Sequence, residues 1–165
     1  MNNPAFSQHS AVSKALANRT KQVIDQAITQ GAEFLVGDSE MIGPASVNSS
    51  ILINVSPESA IYANEAFGPT AALVVVDSEE AAIEEANSRP GGLSASIFTE
   101  SYERGLRLAR ELEFGLVNVN DMTIGGELSC VKGSGWGSTS GKYSIEQLVY
   151  NKAILLQPAN RGGAH

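Results

Sequence analysis

The stretch AALVVVDSEEAAIEEANSRPGGLSASIFTESYERGLRLARELEFGLVNV, residues 71–119, decides how this chain folds. Ala71 to Val76 is a continuous apolar, β-branched run of the kind buried on both faces of a sheet. Asp77-Ser-Glu-Glu80 then offers a helix cap with acids in the first turn, and the spacing predicts a helix to about Asn87. Ser88-Arg-Pro-Gly-Gly92 breaks it. Leu93 to Phe98 reads as a strand, and Glu103 to Leu112 as a helix with Leu106, Ala109 and Leu112 inward, closed by Gly115. Leu116 to Val119 is the next strand. Three strands separated by two helices make a β-α-β-α-β unit, which packs as a parallel sheet and sets the class as α/β, a three-layer domain containing a parallel sheet.

Upstream of that unit, Val12, Leu16, Val23, Ile24, Ala27 and Ile28 lie on one face of a helix from Ser10 to Gln30, with Gly31 placed to end it. Glu33 to Val36 and Ile51 to Val55 read as strands around a Gly-, Pro- and Ser-bearing loop, and Ser56 to Pro69 as irregular. Downstream, periodicity vanishes between Asp121 and Gly141, where six glycines fall in 21 residues. A loop that long is functional or disordered. Tyr143 to Leu148 follows as a helical turn, Tyr150 to Leu156 as a last strand, and 159–165 as a frayed tail.

The 165 residues suffice for one domain with its own core, with no metal or disulfide needed to hold it. Eleven Lys and Arg against eighteen Asp and Glu give a net charge of −7, and no cationic cluster suited to a nucleic-acid backbone appears. No segment reaches the ~20 apolar residues of a membrane span. A single cysteine, Cys130, suits a reducing compartment, so the expected location is the cytoplasm.

Two histidines, His9 and His165, give no metal-ligand spacing and no histidine relay with Cys130. Gly133-Ser-Gly-Trp-Gly137 lacks both the sixth-position glycine of a dinucleotide fingerprint and the Lys-Ser/Thr ending of a P-loop. Cys130 is a packed thiol unless a cation such as Lys132 activates it. Glu65 precedes Ala-Phe-Gly-Pro, a sharp turn that would fix its carboxylate and the Phe67 ring, or leave one solvated and the other a core plug. Asp121, Glu127, Lys132 and Tyr143 are the polar groups beside the glycine loop, each an acid or base only if buried. Spacing alone selects none of them.

Asn64-Glu-Ala-Phe-Gly-Pro69, the strand and acid-capped helix after it, Gly92-Leu-Ser-Ala-Ser-Ile-Phe-Thr99, Gly115-Leu-Val-Asn-Val-Asn120 and Val131-Lys-Gly-Ser-Gly-Trp-Gly137 resemble, in order and spacing, the C-terminal third of aldehyde dehydrogenases. The resemblance implies that Glu65 and Phe67 stand where that family contacts the nicotinamide ribose and ring. It also implies that Asn120, Asp121, Met122, Thr123 and Leu128 border the aldehyde tunnel, and that Tyr150 to Leu156 matches a strand of subunit association. The family's Rossmann domain, nucleophilic cysteine, general-base glutamate and oxyanion-hole asparagine lie upstream of the matching segments. Leu128-Ser-Cys-Val-Lys132 replaces the family's Phe-Gly-Gly-x-Lys turn, adding Ser129 and Cys130 side chains to the cleft wall.

The expectation is therefore a chain without dehydrogenase activity of its own, using no cofactor. It would act as an isomerase or cyclase, a pericyclic cyclase included, on a small apolar metabolite. Asp121, Lys132, Glu65 and Asn120 would be its polar catalytic groups, with Phe67, Met122, Thr123, Leu128, Ser129, Cys130 and Trp136 around the substrate. The alternative is a non-catalytic relative that associates with itself, as a dimer, or with a full-length enzyme.

Overall fold

The computed structural model describes residues 11, 13–123 and 126–157. The expected frayed tail at 159–165, the start of the first helix at Ser10 and Val12, and both histidines lie outside the described residues. Length alone leads one to expect one domain; by internal packing the chain has two compact units, Met1–Ala82 and Ile83–His165.

In the first unit, α1 (Lys14–Thr29) is capped by Ser13, whose hydroxyl accepts from the Leu16 N–H. Gly31, at φ 101°, follows its C-cap as expected. Its buried face is Ala17, Thr20, Ile24 and Ala27, with Val23 and Ile28 at the edge. That face shares a core with Leu52, on the middle strand of a sheet of β1 (Glu33–Gly37), β4 (Ser50–Ile53) and β5 (Thr70–Ala72) in the order β1-β4-β5, antiparallel then parallel. The expected loop between the first two strands holds a small hairpin, β2 (Met41–Gly43) with β3 (Ser46–Val47). The core combines Ala17, Ile24, Ala27, Ala32, Val47, Leu52 and Ile61. Ile61 belongs to a single turn of helix, α2 (Ala60–Ala63), inside a segment expected to be irregular.

On the exposed side of α1, burial pushes the Asp25 carboxyl up, but hydrogen bonds from Lys21 Nζ (2.9 Å) and Ser39 Oγ (2.5 Å), with the lysine charge, outweigh it and hold the carboxyl below its ordinary range. A lowered folded pKa stabilises the fold above the unfolded value and is lost as pH falls through the folded one. The melting temperatures of wild type and Asp25→Asn are thus expected to differ by a constant amount above about pH 5, a gap that closes below about pH 4. A gap that does not change with pH would remove the ionic explanation. The pair is half exposed, so the effect is small.

The second unit begins within α3 (Glu79–Asn87), which starts on Glu79 and Glu80 as the acidic cap predicts. β6 (Ser94–Ile97) and β7 (Leu116–Val119) pair in parallel, Ser94 opposite Leu116 through Ile97 opposite Val119, joined by α4 (Tyr102–Glu111). Ser101 caps α4 by accepting from the Arg104 N–H.

Three expectations change here. β5 stops at Ala72 and pairs with β4 rather than β6, so the parallel strands form two sheets; the Leu73 N–H still donates to Leu52 O (2.8 Å), Val74 to Val76 run on with no ladder among the described residues, and Val75 is 84% exposed. α4 turns Gly105 and Leu108 inward, while Leu106 is exposed, because Gly105 allows the helix to lie against Val119 and Thr99. Gly115 does not close α4, which ends at Glu111 with Leu112 extended.

The expected glycine loop contains a second hairpin, β8 (Leu128–Ser129) with β9 (Ser138–Thr139), around a 3-10 turn at Lys132–Ser134. It is followed by α5 (Gly141–Glu146). Tyr150 to Leu156, expected as a strand, has no ladder partner among the described residues, and Tyr150, Leu155 and Leu156 are each more than 80% exposed. Among the described residues no helix is long and apolar enough to cross a membrane.

Candidate functional site

Glu65 and Phe67 sit in the first unit, on the loop between α2 and β5. The loop is held at both ends. Upstream, Ala63 and Asn64 N–H groups donate to Ser59 and Ala60 carbonyls; downstream, the Ser50 N–H donates to Pro69 O (3.0 Å) and the Thr70 N–H to Gly68 O (2.8 Å). Between these anchors Phe67 takes φ 50°, a left-handed conformation that is costly for an aromatic residue. Its ring is 64% exposed and the Glu65 side chain is exposed too. Phe67 is therefore not a core plug. A hollow of about 420 Å³ opens beside Gly68 and Pro69, walled by Val36, Ile51 and Ala71.

The other candidates lie in the second unit. Asn120, at φ 58°, follows β7 directly, and its side-chain amide clamps the ends of both strands: Oδ1 accepts from the Thr99 N–H and Nδ2 donates to Thr99 O, each at 2.8 Å. Its backbone N–H continues the ladder to Ile97 O (2.7 Å). The amide is thereby occupied in holding the strand ends. Asp121, Met122 and Thr123 come next and are exposed, with Asp121 Oδ1 accepting from the Met122 N–H (2.7 Å). This places an open carboxylate and a thioether beyond the carboxyl end of a parallel pair, where α/β sheets commonly bind ligands.

Leu128 and Ser129 form β8, and the Ser129 and Ser138 hydroxyls hydrogen-bond to each other across the hairpin (3.3 Å). The hairpin is tied shut by the Cys130 N–H to Gly137 O (2.8 Å), and its turn needs glycines at φ 138° (Gly135) and 79° (Gly137). Lys132, itself at φ 52°, reaches away from the turn: Nζ donates to Asn87 O (3.1 Å) and lies 5.1 Å from the centroid of the Phe114 ring. Cys130, Lys132 and Trp136 share a hollow of about 360 Å³ with three glycines of the turn, and Trp136 is fully exposed. Glu127 Oε1 accepts from the Lys142 N–H (3.2 Å), and the Lys142 ammonium lies over the Tyr143 ring.

So one group, Asn120 to Thr123, clusters by adjacency in the chain, and another, Cys130, Lys132 and Trp136, clusters around a hollow. Glu65 and Phe67 belong to the other unit. Two supporting residues went unnoticed in the sequence. Thr99 receives the Asn120 clamp, and Asn87 holds the end of α4, its Oδ1 accepting from the Glu113 N–H and its Nδ2 donating to Glu111 O, while its backbone O accepts from Lys132 Nζ. Asn87 was legible only as the end of a helix. Among the described residues no group of three or more His, Cys, Asp or Glu could hold a metal.

A dinucleotide finds half of what it needs here. An exposed carboxylate and an exposed ring two residues apart, on a loop pinned at both ends, fit a ribose diol and a planar nicotinamide. The glycine cluster does not fit a pyrophosphate, because it turns between β8 and β9 rather than opening a long helix.

Residues 2–154 match the model of the aldehyde dehydrogenase family. A mitochondrial succinate-semialdehyde dehydrogenase of Oryza sativa subsp. japonica is 34% identical over 158 residues, 93% of this chain but 30% of that protein. Vanillin dehydrogenase of Pseudomonas fluorescens is 33% identical over 156 residues, 92% of this chain and 32% of its own length. Among solved structures, a salicylaldehyde dehydrogenase from Pseudomonas putida G7, complexed with salicylaldehyde, superposes with a TM-score of 0.83 at 27% identity, covering 94% of this chain and 33% of that one. The chain thus spans about a third of the length of the relatives it matches. With the Glu65-Ala-Phe-Gly-Pro69 loop, the parallel β6–β7 pair and the glycine hairpin all present in the matched region, this chain belongs to the aldehyde dehydrogenase family.

Proposed function

We propose that this chain supplies the nicotinamide-riboside end of the dinucleotide site of an oxidising enzyme, the nucleotide domain and nucleophile coming from a complementary polypeptide segment. The observation that carries this reading is the amount of apolar side chain left open: Val75 is 84% exposed, Tyr150 86%, Leu155 91% and Trp136 100%. Side chains of this kind, grouped along unpaired segments, mark surfaces that another polypeptide covers.

When bound, a nicotinamide dinucleotide would supply the hydride acceptor. Glu65 would accept hydrogen bonds from the ribose hydroxyls, and Phe67 would lie against the nicotinamide. Mixing the chain with the upstream two thirds of the Pseudomonas fluorescens relative, and following reduction of the dinucleotide by vanillin, tests this. Turnover is expected only when both parts are present, and two folded parts that associate without turnover would overturn it. In that assembly Glu65→Gln is expected to raise KM for the dinucleotide about 10-fold to 100-fold, with a smaller change in kcat, as befits loss of a charge-assisted hydrogen bond.

The hollow at Cys130, Lys132 and Trp136 supports a second reading, a cofactor-independent isomerase or cyclase for a small apolar metabolite in the cytoplasm. Against it, the Lys132 ammonium and the Asn120 amide are committed to bonds within the fold. A third, non-catalytic reading is a homodimer joined through the unpaired Tyr150 to Leu156 segment. A strict monomer at high concentration in size exclusion would remove it.

A further inference from the structure

Resting on the reading of Glu65 and Phe67 as nicotinamide-riboside contacts, we propose that Thr20, on α1, is the residue that positions them. Phe67 holds a left-handed backbone that an aromatic residue adopts only when its surroundings impose it. The anchors at Ala63, Asn64 and Pro69 fix the two ends of the loop, leaving its apex to be held by something else.

Thr20 grips both neighbours of Phe67. It is 1% exposed, and its Oγ1 donates towards Ala66 O at 3.1 Å, across 46 residues of sequence. The same hydroxyl lies 3.1 Å from Leu16 O, but a carbonyl inside a helix already receives an N–H from four residues on, so the Ala66 carbonyl depends on the hydroxyl more. On the other side of Phe67, a Cβ at Gly68 would come within 2.4 Å of Thr20 Cγ2 and 2.6 Å of Oγ1. The methyl and the hydroxyl together fill the space under the turn, which only glycine leaves free. One β-branched side chain, stiff about χ1, thereby brackets Phe67 from residues 66 and 68. Thr20 touches no ligand in this arrangement, so it is a positioning residue.

Thr20→Val keeps the shape and removes the proton, and Thr20→Ser keeps the proton and removes the methyl. In the chain alone, Thr20→Val is expected to lower the backbone order parameters of the Phe67 and Gly68 amides from about 0.85 to below about 0.6, while Thr20→Ser keeps them high. In the reconstituted assembly, Thr20→Val is expected to raise KM for the dinucleotide about tenfold with kcat within about twofold, and Thr20→Ser to restore it. A purely structural threonine would lower the melting temperature of both variants and leave KM alone. Unchanged order parameters, or a loosened loop with unchanged KM, would overturn the proposal. If the wild-type assembly shows no turnover, the functional reading falls, and the order parameters of the chain alone still decide whether Thr20 holds the loop.

Discussion

Gly115→Ala is expected to unseat the β8–β9 hairpin, at a cost of about 3 kcal/mol or more. Gly115 is held between two backbones. Its N–H donates to Gly92 O (2.8 Å), and a Cβ at this position would come within 1.6 Å of Ser129 O and 3.3 Å of Leu93 O. No flexible side-chain end can move aside, because the atoms in the way are main-chain atoms of β8 and of Leu93, the residue before β6. The strand and the hairpin would have to separate. Cys130, the one thiol of the chain, reports the event, since its N–H is tied to Gly137 O within the same hairpin. Its labelling by a thiol reagent is expected to accelerate about 100-fold in Gly115→Ala, together with a lower urea midpoint. Unchanged labelling and midpoint would show that the hairpin tolerates a methyl group there.

The same residue shows how far sequence reasoning reaches. A glycine after an amphipathic helix reads as a helix terminator, yet α4 ends at Glu111, and Gly115 is needed for lack of volume rather than for a left-handed backbone. Elements set by local periodicity were legible: α1, β1, α3, β6, α4 and β7 lie within a few residues of where the pattern puts them. What depends on partners was not. The apolar run from Ala71 to Val76 reads as a strand buried on both faces, but its bonding to β4 ends with the Leu73 N–H on Leu52 O. Apolar composition records what a segment is suited to bury, and only the tertiary structure says which neighbour, if any, covers it.

The candidate site divides in the same way. Spacing could not choose among Glu65, Asp121, Lys132 and Asn120; geometry separates them, since Lys132 and Asn120 are bound into the fold while Glu65 and Asp121 are open to solvent. The clamp between Asn120 and Thr99 spans 21 residues, and the hold of Lys132 on Asn87 spans 45. Neither has a local signature.

Leu52→Ala is expected to cost about 2–5 kcal/mol, most of what holds the first unit together. Of the seven buried residues in that core, three are alanines, and among the described residues Leu52 and Ile24 are the fully buried large apolar side chains. Alanines contribute little burial of their own, so the two large side chains supply a disproportionate share. Leu52 also sits on the central strand, paired with Phe34 on one side and Ala72 on the other, so the cavity would open where both pairings meet. The candidate site is coupled to the same strand: Ser50, two residues before Leu52, donates to Pro69 O and thereby anchors the loop that presents Glu65 and Phe67. Leu52→Ala should therefore lower the urea midpoint and, at denaturant concentrations short of unfolding, speed exchange of the Ser50 and Thr70 amides together. The conservative Leu52→Met, which nearly preserves volume, is expected to cost less than about 1.5 kcal/mol and to leave those amides protected. Equal losses from the two substitutions would mean that side-chain volume at Leu52 does not govern the loop, and that its anchoring rests on the backbone ladder alone.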